Sequence, residues 1–138
     1  MAKKDFNKHM TNEVVRKTAR GNQIMSTRKA PAFGGGDFSV DCDIITAPRV
    51  EISEPHRHPF SQYLCFFSSN PDDETDFDAE IELTWDNEKQ IIKKPTAVWV
   101  PTGTYHGPLF FKTINKPVLF IDCAMTSDYR RMEETPKK

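Results

Sequence analysis

Between Asp37 and Met125 the chain breaks into short apolar or alternating runs, separated by turn residues at intervals of about six to ten positions. The runs lie too close together for helices to fit between them. That rhythm restricts the fold to an all-β two-sheet jelly roll or small barrel. Asp37–Thr46 alternates, with Phe38, Val40, Cys42 and Ile44 on one face, which predicts a half-buried strand with those residues facing the core. Arg49–Glu54 is a second strand. Gln62–Phe67 is apolar on both faces and therefore reads as a strand central in its sheet. Ala79–Trp85 alternates again, and Asp86-Asn87 supplies a hairpin turn to a returning strand over Gln90–Lys93. Thr96–Val100, Leu109–Thr113 and Val118–Met125 complete the set. The acidic stretch Asn70–Asp78 lacks EF-hand spacing and reads as a solvated loop.

Upstream, Asn12–Ala19 permits a short helix capped by Asn12 and stopped by Gly21, followed by a strand over Gln23–Lys29 and a glycine-rich loop over Pro31–Gly36. Downstream, the charged tail from Ser127 onward is expected to fray. The expected organisation is an N-terminal arm over 1–36, a barrel over 37–126 and a tail over 127–138.

Two stretches carry the chemistry. In Pro55-His56-Arg57-His58-Pro59-Phe60-Ser61-Gln62, His56 and His58 leave a strand on the same face and can aim two imidazoles at one point, and Gln62 keeps that parity. In Pro101-Thr102-Gly103-Thr104-Tyr105-His106, Pro101 and Gly103 form a rigid turn that sets His106 at the start of the next strand. Three of the chain's four histidines are used.

Together these stretches resemble the cupin superfamily, whose motifs read His-x-His followed after three or four residues by Glu, and Pro-x-Gly-x-x-His. The resemblance spans residues 37–126 or so and implies a double-stranded β-helix, a metal held by His56, His58 and His106 with Gln62 at the fourth position, and an N-terminal strand exchanged between subunits of a homodimer. The chain departs from the pattern in having Gln62 where Glu is usual, in lacking the glycine that closes the first motif, and in having Phe110 where the second motif often ends in Asn. A neutral amide is a weaker ligand than a carboxylate, so Gln62 either coordinates weakly or orients water beside the metal.

Neutral imidazoles suit Fe, Mn, Co, Ni, Cu or Zn, and three of them plus an amide leave positions open for a substrate. Two functions follow: a non-haem metal enzyme acting on a small organic molecule, dioxygenase-like or isomerase/lyase-like, or a metal-dependent small-molecule sensor or sugar-binding module without turnover. Tyr63, Tyr105 and Glu54 flank the ligands and are the candidates for acid or base work, although the two tyrosines have the opposite parity and Glu54 suits a rim. Phe60, Trp99 and Phe110 are candidate pocket walls.

The chain's 138 residues suffice for one core. Cys42, Cys65 and Cys123 are widely spaced and read as buried free thiols, with Cys65 activated by a histidine as a minor alternative; no Cys-x-x-Cys supports a zinc ribbon or a redox pair. No apolar run reaches the ~18 residues of a membrane span, and a cytoplasmic protein is expected. The net charge of -1 divides into a basic segment, +6 over residues 1–30, and an acidic body, -7 over 31–138. Aromatic stacking residues are nearly absent from the basic segment, so it is read as lying on acidic surface of its own or a neighbouring subunit rather than on nucleic acid.

Overall fold

Alternation and turn chemistry dictate most of the architecture seen in a computed structural model, which describes residues 9–28 and 37–132. Ten strands are formed among the described residues: β1 (Val15–Lys17), β2 (Gln23–Ser26), β3 (Ser39–Ile45), β4 (Arg49–Ile52), β5 (Gln62–Ser68), β6 (Ala79–Trp85), β7 (Glu88–Ile92), β8 (Thr96–Val100), β9 (His106–Ile114) and β10 (Val118–Ala124). They pair antiparallel in a six-stranded sheet of order β1-β2-β3-β10-β5-β8 and a four-stranded sheet of order β4-β9-β6-β7. No helix among the described residues is long and apolar enough to cross a membrane. The loop Pro31–Gly36 and the extreme ends lie outside the described residues.

The two sheets enclose Ile45, Leu64, Phe66, Ile81, Leu83, Leu109, Phe111, Val118 and Phe120. Phe66, Phe111 and Phe120 meet with ring centroids 5.2–6.0 Å apart, in tilted and edge-on contacts, and each buried phenyl contributes about 1.5–3 kcal/mol. As the alternation of Ala79–Trp85 requires, Ile81 and Leu83 point inward, while Glu80 and Glu82 pair with Lys89, Lys93 and Lys112 outside. At the β6–β7 hairpin Asp86 and Asn87 both take positive φ, 47° and 68°, the conformation that matches strand twist.

Two expectations are corrected. Asn12–Ala19 is not helical: Val15–Lys17 is a strand paired with β2, and the Val14 carbonyl accepts the Ser26 N–H at 2.7 Å. Adjacent β-branched valines disfavour helix, and Arg16 is drawn onto Asp41 at 2.5 Å and Ser26 Oγ at 3.2 Å, contacts of long range that local propensity cannot weigh. In β3 the alternation holds but its sides are reversed. Ser39, Asp41 and Ile45 are buried on the inner face, while Phe38 and Ile44 are about half exposed. The carboxylates turn inward because arginines meet them there: Arg16 and Arg28 on Asp41, Arg49 on Asp43.

Candidate metal centre

The two histidine stretches meet through the backbone. His56 and His106 form an antiparallel bridge, with N–H···O distances of 3.0 and 2.9 Å, and the Gly103 N–H donates to the His58 carbonyl at 2.9 Å. Gly103 has φ +79°, which the turn from Pro101 requires. A second glycine matters more. Gly107 has φ +101°, and a Cβ there would fall 2.7 Å from Ile52 Cγ2 and 3.1 Å from the Glu54 carbonyl oxygen. The strand carrying His106 can approach the His56 segment this closely only because position 107 has no side chain.

His56, His58 and His106 are all buried, and one ring nitrogen from each lies within 4.8 Å of the others. Which nitrogens face inward is fixed by the outer partners. His58 Nδ1–H donates to the Arg130 carbonyl at 2.6 Å, His106 Nδ1–H to that of Thr104 at 3.0 Å, and His56 Nδ1 faces that of Glu54 at 3.4 Å. The three Nε2 atoms therefore present lone pairs to one another, and His56 Nε2 lies 3.1 Å from His58 Nε2. Protonating the cluster is disfavoured: burial, reinforced by neighbouring positive groups, pulls the His56 pKa down to about 3 and that of His58 to about 4, and burial lowers that of His106.

Gln62 is fully buried with Nε2 3.1 Å from His106 Nε2, and its Oε1 has no hydrogen-bond partner. An orphaned buried oxygen beside three facing lone pairs is a set of donors of the kind that could hold a cation. Rotating the amide turns Oε1 toward the shared point, and a separation of ~3 Å is what two nitrogens ~2.1 Å from one ion present at about a right angle. The four residues expected to bind metal are thus brought together, and they fit a divalent transition ion.

The acid/base candidates are not brought in. Tyr63 and Tyr105 are partly exposed, Tyr63 against Trp99 on the outer face of β5 and Tyr105 beneath the Arg57 guanidinium, and Glu54 is exposed. Cys65 faces outward from β5, away from the histidines, and burial raises its pKa. Of the expected walls only Phe60 adjoins the site, stacked on His58 at 4.8 Å.

Residues that the sequence did not single out complete the centre. The segment after β10, expected to fray, lies against the site through the Arg130 carbonyl on His58 and the Met132 N–H on the Arg57 carbonyl at 2.8 Å. It sets the Tyr129 hydroxyl 3.2 Å from His58 Nε2, with the Tyr129 ring under Arg28 at 4.1 Å. Asp122 is buried beside Arg28, 3.6 Å from its guanidinium, and burial pushes its pKa up to about 6. A cavity of about 230 Å³ opens on His56, His106 and Gln62, lined by the apolar Ile24, Ile52, Leu64 and Phe120 and by arginines and carboxylates. Only the glycine next to His106 left a local trace in the sequence; Tyr129 sits in a charged tail with none.

No family model and no curated protein matches the chain. Solved structures do. A double-stranded β-helix protein from Klebsiella pneumoniae superimposes with a TM-score of 0.55 at 13% identity, covering 96% of each chain. KdgF from Halomonas sp. gives 0.50 at 18%, covering 86% of this chain and 87% of that one. The polyketide cyclase RemF from Streptomyces resistomycificus gives 0.50 at 15%, covering 95% and 82%. With the two antiparallel sheets, these likenesses give the fold: a cupin double-stranded β-helix.

Proposed function

We propose that this cupin-fold chain is a non-haem metal enzyme acting on a small organic substrate, with dioxygenase-like or isomerase/lyase-like chemistry. The observation that carries the reading is the convergence of three Nε2 lone pairs on one buried point, each ring turned by its Nδ1 toward a backbone carbonyl, beside a cavity that His56 and His106 line. A divalent transition ion held there supplies Lewis-acid polarisation of a substrate oxygen or, if redox-active, electron transfer. His56, His58 and His106 hold the ion, and Gln62 adds a neutral oxygen that leaves its charge less compensated than a carboxylate would. Tyr129, its hydroxyl beside His58 Nε2, donates a hydrogen bond to whatever oxygen is bound there. Ile24, Ile52, Leu64 and Phe120 supply the apolar part of a cavity otherwise lined by charged and polar groups. Its volume of about 230 Å³ lies below the range of drug-sized pockets, which favours a small substrate.

The test is elemental analysis of purified protein, with about one transition-metal ion per chain expected, followed by oxygen consumption and product analysis with small acids and diketones. Stoichiometric metal with tight ligand binding and no turnover would favour a sensor instead. No metal uptake from any of the six candidate ions would end the metal reading.

The protein is also read as a cytoplasmic homodimer. Three free thiols support the compartment. The dimer is supported by the outer face of the six-stranded sheet, where Val15, Met25, Ile44, Tyr63, Phe67 and Trp99 are all 37–51% exposed. Light scattering of wild type and Ile44→Asp checks it, a monomer in both being the adverse result.

A further inference from the structure

Charge at the cavity is nearly balanced, with one exception. Four carboxylates line it, Asp41, Asp43, Glu51 and Asp122. Asp41 is paired with Arg16 and Arg28, Asp43 with Arg49, Glu51 with Arg20 and Arg49, and Asp122 with Arg28. Arg131 lines the same cavity and makes no ion pair among the described residues. It does not hang free. The Arg130 carbonyl accepts from His58, and the Met132 N–H donates to the Arg57 carbonyl, so the backbone on both sides of Arg131 is fastened to the histidine-bearing segment. Arg131 thus lines the same small cavity as His56 and His106, on a backbone fastened at both sides. Because the fork of a guanidinium matches a carboxylate bidentately, this arrangement suits an acid whose carboxylate meets Arg131 and whose neighbouring oxygen reaches the histidine cluster.

We infer that Arg131 is a substrate-binding residue and that the ligand is a small monocarboxylic acid with an oxygen on the adjacent carbon, a 2-oxo or 2-hydroxy acid. The inference rests on the metal-site reading, which supplies the contact for that second oxygen. Arg131 has no carboxylate partner among the described residues, so it offers one bidentate anchor, which one carboxylate fills. The apolar walls Ile24, Ile52, Leu64 and Phe120 suit a short hydrocarbon tail.

The experiment uses the full chain loaded with cobalt(II), its metal content measured, and titrates pyruvate and the neutral isostere pyruvamide by visible absorption and calorimetry into wild type, Arg131→Gln and Arg131→Lys. Arg131→Gln is expected to retain full metal content and the same melting temperature, to bind pyruvate at least tenfold more weakly and to bind pyruvamide within twofold of wild type; Arg131→Lys should fall between. The difference between the two probes removes the metal's own preference for an anion. Equal weakening of both probes, or none, overturns the inference, as does the absence of pyruvate binding to protein shown to be loaded. Tighter binding of inorganic phosphate than of pyruvate to wild type overturns the choice of a carboxylate. If cobalt is not taken up, the metal reading fails separately, and the same titrations on metal-free protein decide: a preference for pyruvate that Arg131→Gln abolishes sustains the anion site, and its absence rejects it.

Discussion

The two ends of the barrel are built from the same strands and do opposite things. At one end β5, β9 and β10 bring Phe66, Phe111 and Phe120 into mutual contact, with no polar group to satisfy. Toward the other end the same strands carry Gln62, His106 and Asp122, buried polar groups of which Gln62 Oε1 has no partner. The apolar end needs nothing beyond itself. The polar end leaves desolvated lone pairs facing one another, a cost that the apolar end offsets and that a bound cation would relieve. Stability and chemistry are thus separated along the length of single strands, and substitutions at the two ends should behave differently.

The sharpest break should come from Phe111→Ala. Truncating a fully buried phenyl costs about 3–5 kcal/mol, read by denaturant melts, while the fraction that stays folded should bind metal as wild type does. Next is Gly107→Ala, which joins the two regions. The positive φ costs about 1–2 kcal/mol and the clash with Ile52 adds about 1–3 kcal/mol, and metal affinity should fall as well because His106 is displaced. A stability loss with unchanged metal affinity would mean that the close approach at position 107 is not what positions the histidine.

His58→Ala is the reciprocal of the phenylalanine variant. It should abolish metal retention in elemental analysis, while the metal-free fold loses the hydrogen bond to the Arg130 carbonyl, about 0.5–1.5 kcal/mol, and the ring contacts with Phe60 and Tyr129, and is relieved of the lone pair that faces His56. Gln62→Glu should raise divalent-ion affinity about tenfold, or ~1.4 kcal/mol, and Gln62→Ala should lower it only modestly; identical affinities in metal titrations of all three would show that Gln62 does not reach the ion.

The smallest effect is on pH dependence. In the metal-free fold, burial holds His56 near about 3 and His58 near about 4, whereas in the unfolded chain both titrate near ~6.5. At these histidines the unfolded state therefore binds more protons between those values, so their contribution is fully present above about pH 6.5 and is lost as pH falls toward 4, opposed in part by Asp122, whose raised pKa of about 6 makes the folded state take up its proton first. Melting temperatures of chelated protein at stepped pH should show this, with a shallower decline in His58→Ala. Parallel curves would mean that the polar end is not the acid-sensitive one.

Most of the frame was legible because it is local. Alternation, Pro-Gly turns and the Asp86-Asn87 hairpin act within a few residues of themselves, and the spacing of His56, His58 and Gln62 is local too, although they do not share one strand: His56 bridges to His106 and Gln62 opens β5 in the other sheet. The metal ligands were legible for the same reason, together with the resemblance their spacing carries. The inversion of β3 was not, since Asp41 and Asp43 face inward where arginines of other segments, Arg16, Arg28 and Arg49, meet them, and the alternation of β3 itself does not name those partners.

By itself, then, the sequence determined an all-β chain whose two histidine stretches could share one site, because periods of two and rigid turns are properties of neighbouring residues. Only the tertiary structure decided which face of β3 is wet, that Val15–Lys17 is a strand, that the Arg130 carbonyl orients His58, and that Tyr129 and Arg131 belong to the site. These depend on contacts between separate segments, from Arg49 to Asp43 across 6 positions of chain to Arg28 and the Asp122 carbonyl across 94. Their free energy comes from burying charges beside partners that no local pattern can name.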